Sequence, residues 1–255
     1  MIKFSLEAPV TIRILNCAAM SPWFPRWKLG APCLLVETEQ GFVLVDTGLG
    51  LHDYQHPSKM VRFFNLDFGV ANDPENTAVR QLDRLGIPPQ EVRHIVLTHL
   101  HFDHAGGLPD FPHAQVHVHR REYEALLHHN PWTELAYDRQ DFAHAPQWVF
   151  YDQPTTQWCG LEAIPLPFSP SIYIIPLFGH TRGHCGVAIQ DGQGWLFQCA
   201  DALPTNAQFD LTPAWLNRLV IGPHVPTLRA WAAEHPEARL LAGHMWQSFF
   251  TTNDR

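Results

Sequence analysis

The predicted elements run β-rich, then helical, then β-rich, then helical again, which points to an α/β sandwich: two packed mixed β-sheets with helices on both outer faces. Three observations carry that reading. Residues 10–16, 33–38 and 42–45 read as strands, the last two joined at the turn Glu39-Gln40-Gly41, so the chain opens as antiparallel β. Residues 92–98 include Ile95, Val96 and Leu97, apolar on consecutive positions, as a strand covered on both faces would be. Strands and helices do not alternate strictly, as they would in a doubly wound parallel sheet.

Each remaining element has its own signal. Asp73 supplies an N-cap and Pro74 a first helical position; Val79, Leu82 and Leu85 share a helical face, and Gly86 with Pro88 and Pro89 ends the run. A short strand is predicted at residues 115–119, a helix at 120–128, and strands at 172–178, 186–189 and 195–199. Residues 213–220 and 226–235 each open with a proline and read as helices, and 239–242 form a last strand before Gly243-His244. No linker or repeat interrupts the 255 residues, so one domain is expected over 1–255.

Composition narrows the function. Hydrophobic residues make up 45% and charged residues 16%, the balance of a folded globular chain. Lys+Arg of 17 against Asp+Glu of 25 leaves a net charge of −8, which argues against nucleic acid as a partner. No stretch is apolar for the length a bilayer requires, so no membrane association is expected. Cys17, Cys33, Cys159, Cys185 and Cys199 are scattered without a CxxC pair, which suits reduced thiols in the cytoplasm. Histidine is the odd feature: 17 residues, as many as Lys and Arg together, of the commonest side chain that binds zinc.

The densest histidine cluster follows the strand at 92–98 directly: Thr98-His99-Leu100-His101-Phe102-Asp103-His104-Ala105-Gly106-Gly107. Four ligand-type side chains fall within six residues. In extended backbone His99 and His101 project to the same side, and a curl at the glycines brings Asp103 and His104 to a neighbouring position. Leu100 and Phe102, between the ligand types, would pin the loop to the core.

This HxHxDH string resembles that of the metallo-β-lactamase superfamily, and other motifs of that family follow in order. Val45-Asp46-Thr47-Gly48 lies upstream; Gly179-His180-Thr181-Arg182-Gly183-His184, Asp201 and Gly243-His244 lie downstream. The resemblance implies an αββα sandwich with a two-metal site at one edge of the sheets. His99, His101 and His180 would hold the first metal, Asp103, His104 and His244 the second, and Asp201 would bridge them. It implies two divalent ions, zinc ahead of manganese, iron or cobalt, sharing a hydroxide that attacks a carbonyl carbon while Asp103 steers it as the catalytic carboxylate.

The run from His101 to Gly107 is similar to that of the quorum-quenching lactonases, so the implied function is a dinuclear metal-dependent hydrolase acting on a small molecule, a lactone or ester ahead of a β-lactam or thioester. Those lactonases carry a tyrosine three residues after the bridging aspartate; Pro204 stands there in this chain, leaving Tyr151 and Tyr173 as candidates to approach the site. The alternative on the same fold is an iron-dependent dioxygenase of the persulfide dioxygenase type.

Smaller features complete the expectations. Asp46 would accept the free N–H of a ligating histidine. His184 would stand behind the ligands, and Cys199 would be small core filler. His117 and His119 would form a solvated strand face. Residues 56–69, with Met60, Phe63, Phe64 and Phe68, would be a lid or an aromatic plug. Residues 130–170, with Trp132, Trp148, Phe150 and Trp158, would line the cleft or make a homodimer contact.

Overall fold

The computed structural model describes residues 10–21, 28–128, 136–203, 205 and 222–246. The helix expected at 213–220, Trp132 and Pro204 lie outside them. Among the described residues the strands form two mixed sheets. The first takes the order β1 (Thr11–Met20), β2 (Leu29–Thr38), β3 (Gly41–Val45), β4 (Val92–Val96), β5 (Gln115–His119) and β6 (Gln147–Tyr151). Its first three strands are antiparallel and β3 to β6 are parallel. The second runs β7 (Thr156–Trp158), β8 (Leu161–Leu166), β9 (Ser169–Pro176), β10 (Cys185–Asp191), β11 (Gly194–Ala200) and β12 (Arg239–Ala242), with only β11 and β12 parallel. The chain then crosses back through Gly243-His244 to β13 (Met245–Trp246), which pairs with β2.

Alternation along the strands sorts the core into layers. Leu34, Val36, Val43, Val45 and Val96 of the first sheet meet Ile164, Ile172, Ile174, Val187 and Ile189 of the second. The opposite faces of the first sheet, Leu35, Leu44, Ile95, Leu97, Val116 and Val118, pack against Val79 and Leu82 of α3 (Ala78–Arg84) and Leu126 of α5 (Arg120–Leu127). The second sheet's outer face, including Ile175, Ala188 and Phe197, is covered by Leu228 and Trp231 of α6 (Val225–Glu234). Helix, sheet, sheet and helix are therefore stacked as the sequence predicts. None of the helices among the described residues is long and apolar enough to cross a membrane.

The helix predicted from Asp73 divides. Asp73 caps a 3-10 turn at Pro74–Asn76, Thr77 goes extended (φ −63°, ψ 148°), and α3 begins only at Ala78, which leaves Leu85 41% exposed beyond its end. Residues 56–69 hold α2 (Lys59–Asp67), where Phe64 stacks on Phe68 and packs on Phe102 while Phe63 and Leu66 stay exposed. It follows α1 (Leu51–Gln55). The aromatic residues of 147–158 pack on the core layers: Trp148 and Phe150, both partly buried, on Tyr123, and Trp158 on Trp231 and Phe197.

The solvated face expected for His117 and His119 is overturned, since they are 2% and 3% exposed. The cause is β6, which makes β5 an interior strand, together with Phe168 and Phe178, whose rings cover the two imidazoles. His117 links His94 to Tyr151: Nδ1 of His94 is 2.9 Å from its Nε2, and the Tyr151 hydroxyl is 2.9 Å from its Nδ1.

Candidate metal centre

The site assembles where strand ends of both sheets meet. After β3, Asp46 turns the chain with a left-handed φ of 57° and its N–H donates to the Val96 carbonyl (3.0 Å), tying the end of β3 to the end of β4. A second such residue, Ala200 (φ 44°), ends β11 and delivers Asp201. Strained backbone of this kind persists where surrounding structure overdetermines it. β4 leads into His99 and His101, and α4 (Phe102–Ala105) starts immediately after, so the curl comes from a short helix rather than from the glycines. Gly107 serves close approach instead, for a Cβ there would meet the Thr47 side chain and carbonyl. Gly243 does the same at the crossing between sheets, where a Cβ would collide with Asp201 and the Ala200 backbone.

All seven predicted side chains converge. His101 Nδ1 is 3.1 Å from His180 Nε2, and the ring of His99 lies within 5.0 Å, centroid to centroid, of both His101 and His180. His104 Nε2 stands 3.8 Å from Asp103 and 3.5 Å from Asp201; His244 Nε2 stands 3.5 Å from each of the same two carboxylates. Three overlapping groups, His99/His101/His180, His99/His104/Asp201 and Asp103/His104/His244, each bring their donor atoms within 4.8 Å of one another.

Metal fits this arrangement on two counts. His99 Nε2, His104 Nε2 and Asp201 Oδ1 are buried and make no hydrogen bond, an expensive condition for polar atoms unless something else satisfies them. The separations of 3.4–3.8 Å among these carboxylates and imidazoles are near the roughly 3.3 Å expected between donors arranged tetrahedrally about 2.0–2.1 Å from a zinc ion.

Electrostatics agree. Burial, reinforced by neighbouring imidazoles, holds His99 and His101 well below the usual histidine range, so both present neutral lone pairs. Burial works the same way on His104 and His244, but the Asp103 and Asp201 carboxylates outweigh it and lift both. Burial would raise Asp201, yet His244 and His104 hold it well below the ordinary carboxylate value. Clustered carboxylates that draw protons onto buried imidazoles provide negative potential that a cation can use once those protons leave.

The supporting residues are also placed. Asp46 is fully buried and accepts from His104 Nδ1 at 2.9 Å and from Thr98 N at 2.8 Å, the support expected of it. His184 bonds the Leu177 carbonyl through Nδ1 and lies 5.0 Å from the His99 ring, outside the three donor groups. Cys199 is core filler, its thiol pushed up by burial. Tyr151 is engaged by His117, and Tyr173 packs on Trp195, so neither stands among the donors. Tyr137 borders them instead: its ring meets His101 edge-on at 5.0 Å and its hydroxyl donates to buried Glu122. Neither Tyr137 nor Glu122 sits in a recognisable motif, and both are found only once the chain is folded.

Residues 26–244 match the metallo-beta-lactamase superfamily pattern. A probable metallo-hydrolase of Mycobacterium tuberculosis is 40% identical over 197 residues, covering 76% of this chain and 63% of that protein, so the match spans less than two thirds of the relative. An N-acyl homoserine lactonase of Bacillus thuringiensis is 38% identical over 110 residues, 40% of this chain and 41% of that protein. In fold, an N-acyl homoserine lactone hydrolase solved with N-hexanoyl-L-homoserine at its catalytic metal centre superposes with a TM-score of 0.71 at 22% identity over 96% of both chains. A probable metal-dependent hydrolase from Staphylococcus aureus gives a TM-score of 0.70 at 18% identity, covering 94% of this chain and 90% of that one. With a matching pattern over most of its length and the motifs of that pattern gathered at one edge of the sandwich, this chain belongs to the metallo-beta-lactamase superfamily.

Proposed function

We propose that the chain is a dinuclear metal-dependent hydrolase, with zinc as the preferred ion, that opens a small lactone or ester. The observation that carries this reading is the position of Asp201. Its Oδ2 lies 3.4 Å from His180 Nε2, and its Oδ1 lies 3.5 Å from the Nε2 atoms of both His104 and His244, so one carboxylate faces two donor sets. His99, His101 and His180 would hold one ion, Asp103, His104 and His244 the other, and Asp201 would span them. Two divalent ions so held would supply a water acidic enough to attack at neutral pH and a Lewis acid for the carbonyl oxygen.

The chain's own groups do the rest. Asp103, whose side chain is 19% exposed, is the carboxylate open enough to accept a proton from the attacking water. Asp46 keeps His104 Nδ1 occupied as a donor, which leaves Nε2 for the centre. The likeness to N-acyl homoserine lactonases supports a lactone as substrate. Five free cysteines support a reducing, cytoplasmic setting. The second donor set favours this reading over the one-iron dioxygenase.

The test is a panel of lactones, esters, thioesters and β-lactams, followed by acid release on zinc-loaded protein before and after chelation. Hydrolysis of lactones or esters that chelation abolishes and zinc restores is expected. Oxygen uptake with a persulfide, and no hydrolysis of any panel member, would overturn it.

A further inference from the structure

Glu122, in the first turn of α5, is fully buried and lies outside the donor groups, yet it accepts four hydrogen bonds from described residues. They divide by oxygen. Oε1 receives the backbone N–H of Leu100 at 3.0 Å and the Tyr137 hydroxyl at 3.0 Å. Leu100 stands between His99 and His101, and the Tyr137 ring is the one set edge-on against His101. Oε2 receives the Thr181 hydroxyl at 2.6 Å and the backbone N–H of Gly183 at 3.0 Å, just beyond His180. Gly183 is also pressed so closely on the start of α5 that a Cβ there would collide with the Arg121 and Glu122 backbone. One carboxylate thus joins two loops that sequence places some eighty positions apart, and His101 Nδ1 and His180 Nε2 meet at 3.1 Å beside it.

A carboxyl group suits this position better than an amide. It accepts at both oxygens, whereas an amide would turn one end into a donor facing the backbone N–H of either Leu100 or Gly183. Loops are the mobile parts of such a fold, and a donor set split between two of them needs a fixed separation to bind an ion tightly.

We infer that Glu122 is a positioning residue that sets the spacing between the His99/His101 pair and His180, so that the cation affinity of this donor set depends on its carboxylate. This rests on the metal centre proposed above. Groups that hold metal ligands in place from behind typically account for about 10–100-fold in metal affinity, and the backbone contacts of Glu122 flank His99, His101 and His180.

The experiment is a competitive titration of the whole metal-free chain with zinc against a chelator, repeated with cobalt to read the visible spectrum. It covers wild type, Glu122→Gln, Thr181→Val, His180→Ala and the double variant of Glu122→Gln with His180→Ala, each checked by circular dichroism. Glu122→Gln should weaken one ion by about tenfold or more and change the cobalt spectrum, while the other ion keeps its affinity. Thr181→Val should weaken the same ion by less, and it decides the matter if Glu122→Gln does not fold. Glu122→Gln should add nothing on top of His180→Ala. If wild type binds two ions and both clamp variants match it, or both ions weaken equally, Glu122 has no such role. A folded wild type that binds no ion overturns the metal centre and this role with it.

Discussion

Nδ1 of His104 stands 2.9 Å from Oδ2 of Asp46, a contact between two side chains closed to solvent and 58 positions apart. Because an ionised carboxylate can only accept, the contact orients the imidazole so that Nε2 points at Asp103 and Asp201. The same carboxylate holds Thr98 N at 2.8 Å, so Asp46 aligns both the strand end and the histidine that follows it.

Asp46→Asn leaves one acceptor oxygen where Thr98 N and His104 Nδ1 each need one. Metal affinity or kcat/KM should fall about 10–100-fold, as measured by chelator competition and initial rates. Unchanged values for both would mean that the orientation of His104 is set elsewhere.

Asp201→Asn keeps the shape of the side chain and removes the charge that faces both donor sets. A rate loss of about 10²-fold or more is expected, with a thermal melting temperature near that of wild type. Turnover close to wild type would refute the spanning role.

Asp103 and His104 can be separated by mass action. Excess zinc should restore part of the activity of His104→Ala, which lacks only a ligand, but little of that of Asp103→Asn, whose amide cannot take the water's proton. Equal rescue of the two variants would reduce Asp103 to a ligand.

His117 tests the interior of the sandwich. Burial, and then the His94 imidazole, press it down to about 3, below the roughly 6.5 of an unfolded chain. Between those values the unfolded chain takes up the proton and the folded chain does not, so stability is full above pH ~6.5 and declines as pH falls toward 3. Melting temperatures of His117→Gln should decline less steeply over that window than those of wild type. Parallel slopes would show that His117 titrates normally.

The motif residues are legible because each follows a strand whose own pattern is plain: His99 after the apolar run of β4, Asp201 after β11 and His244 after β12. The environment of His117 is not legible, because it depends on β6 and on Phe168 from the other sheet, and period-2 alternation alone does not say which face is covered. Glu122 reads as one more acidic residue on an amphipathic helix until Leu100, Thr181 and Gly183 close around it. The split of the helix expected after Asp73 turns on one extended residue, Thr77, whose conformation no local pattern announces.

The central claim, a two-ion centre built from His99, His101, Asp103, His104, His180, Asp201 and His244, is tested most directly by elemental analysis of the chain after zinc loading and removal of free metal. Close to two zinc ions per chain is the predicted result, falling toward one in His180→Ala and in His244→Ala. A single tightly held iron, with no second metal under any loading condition, would contradict it.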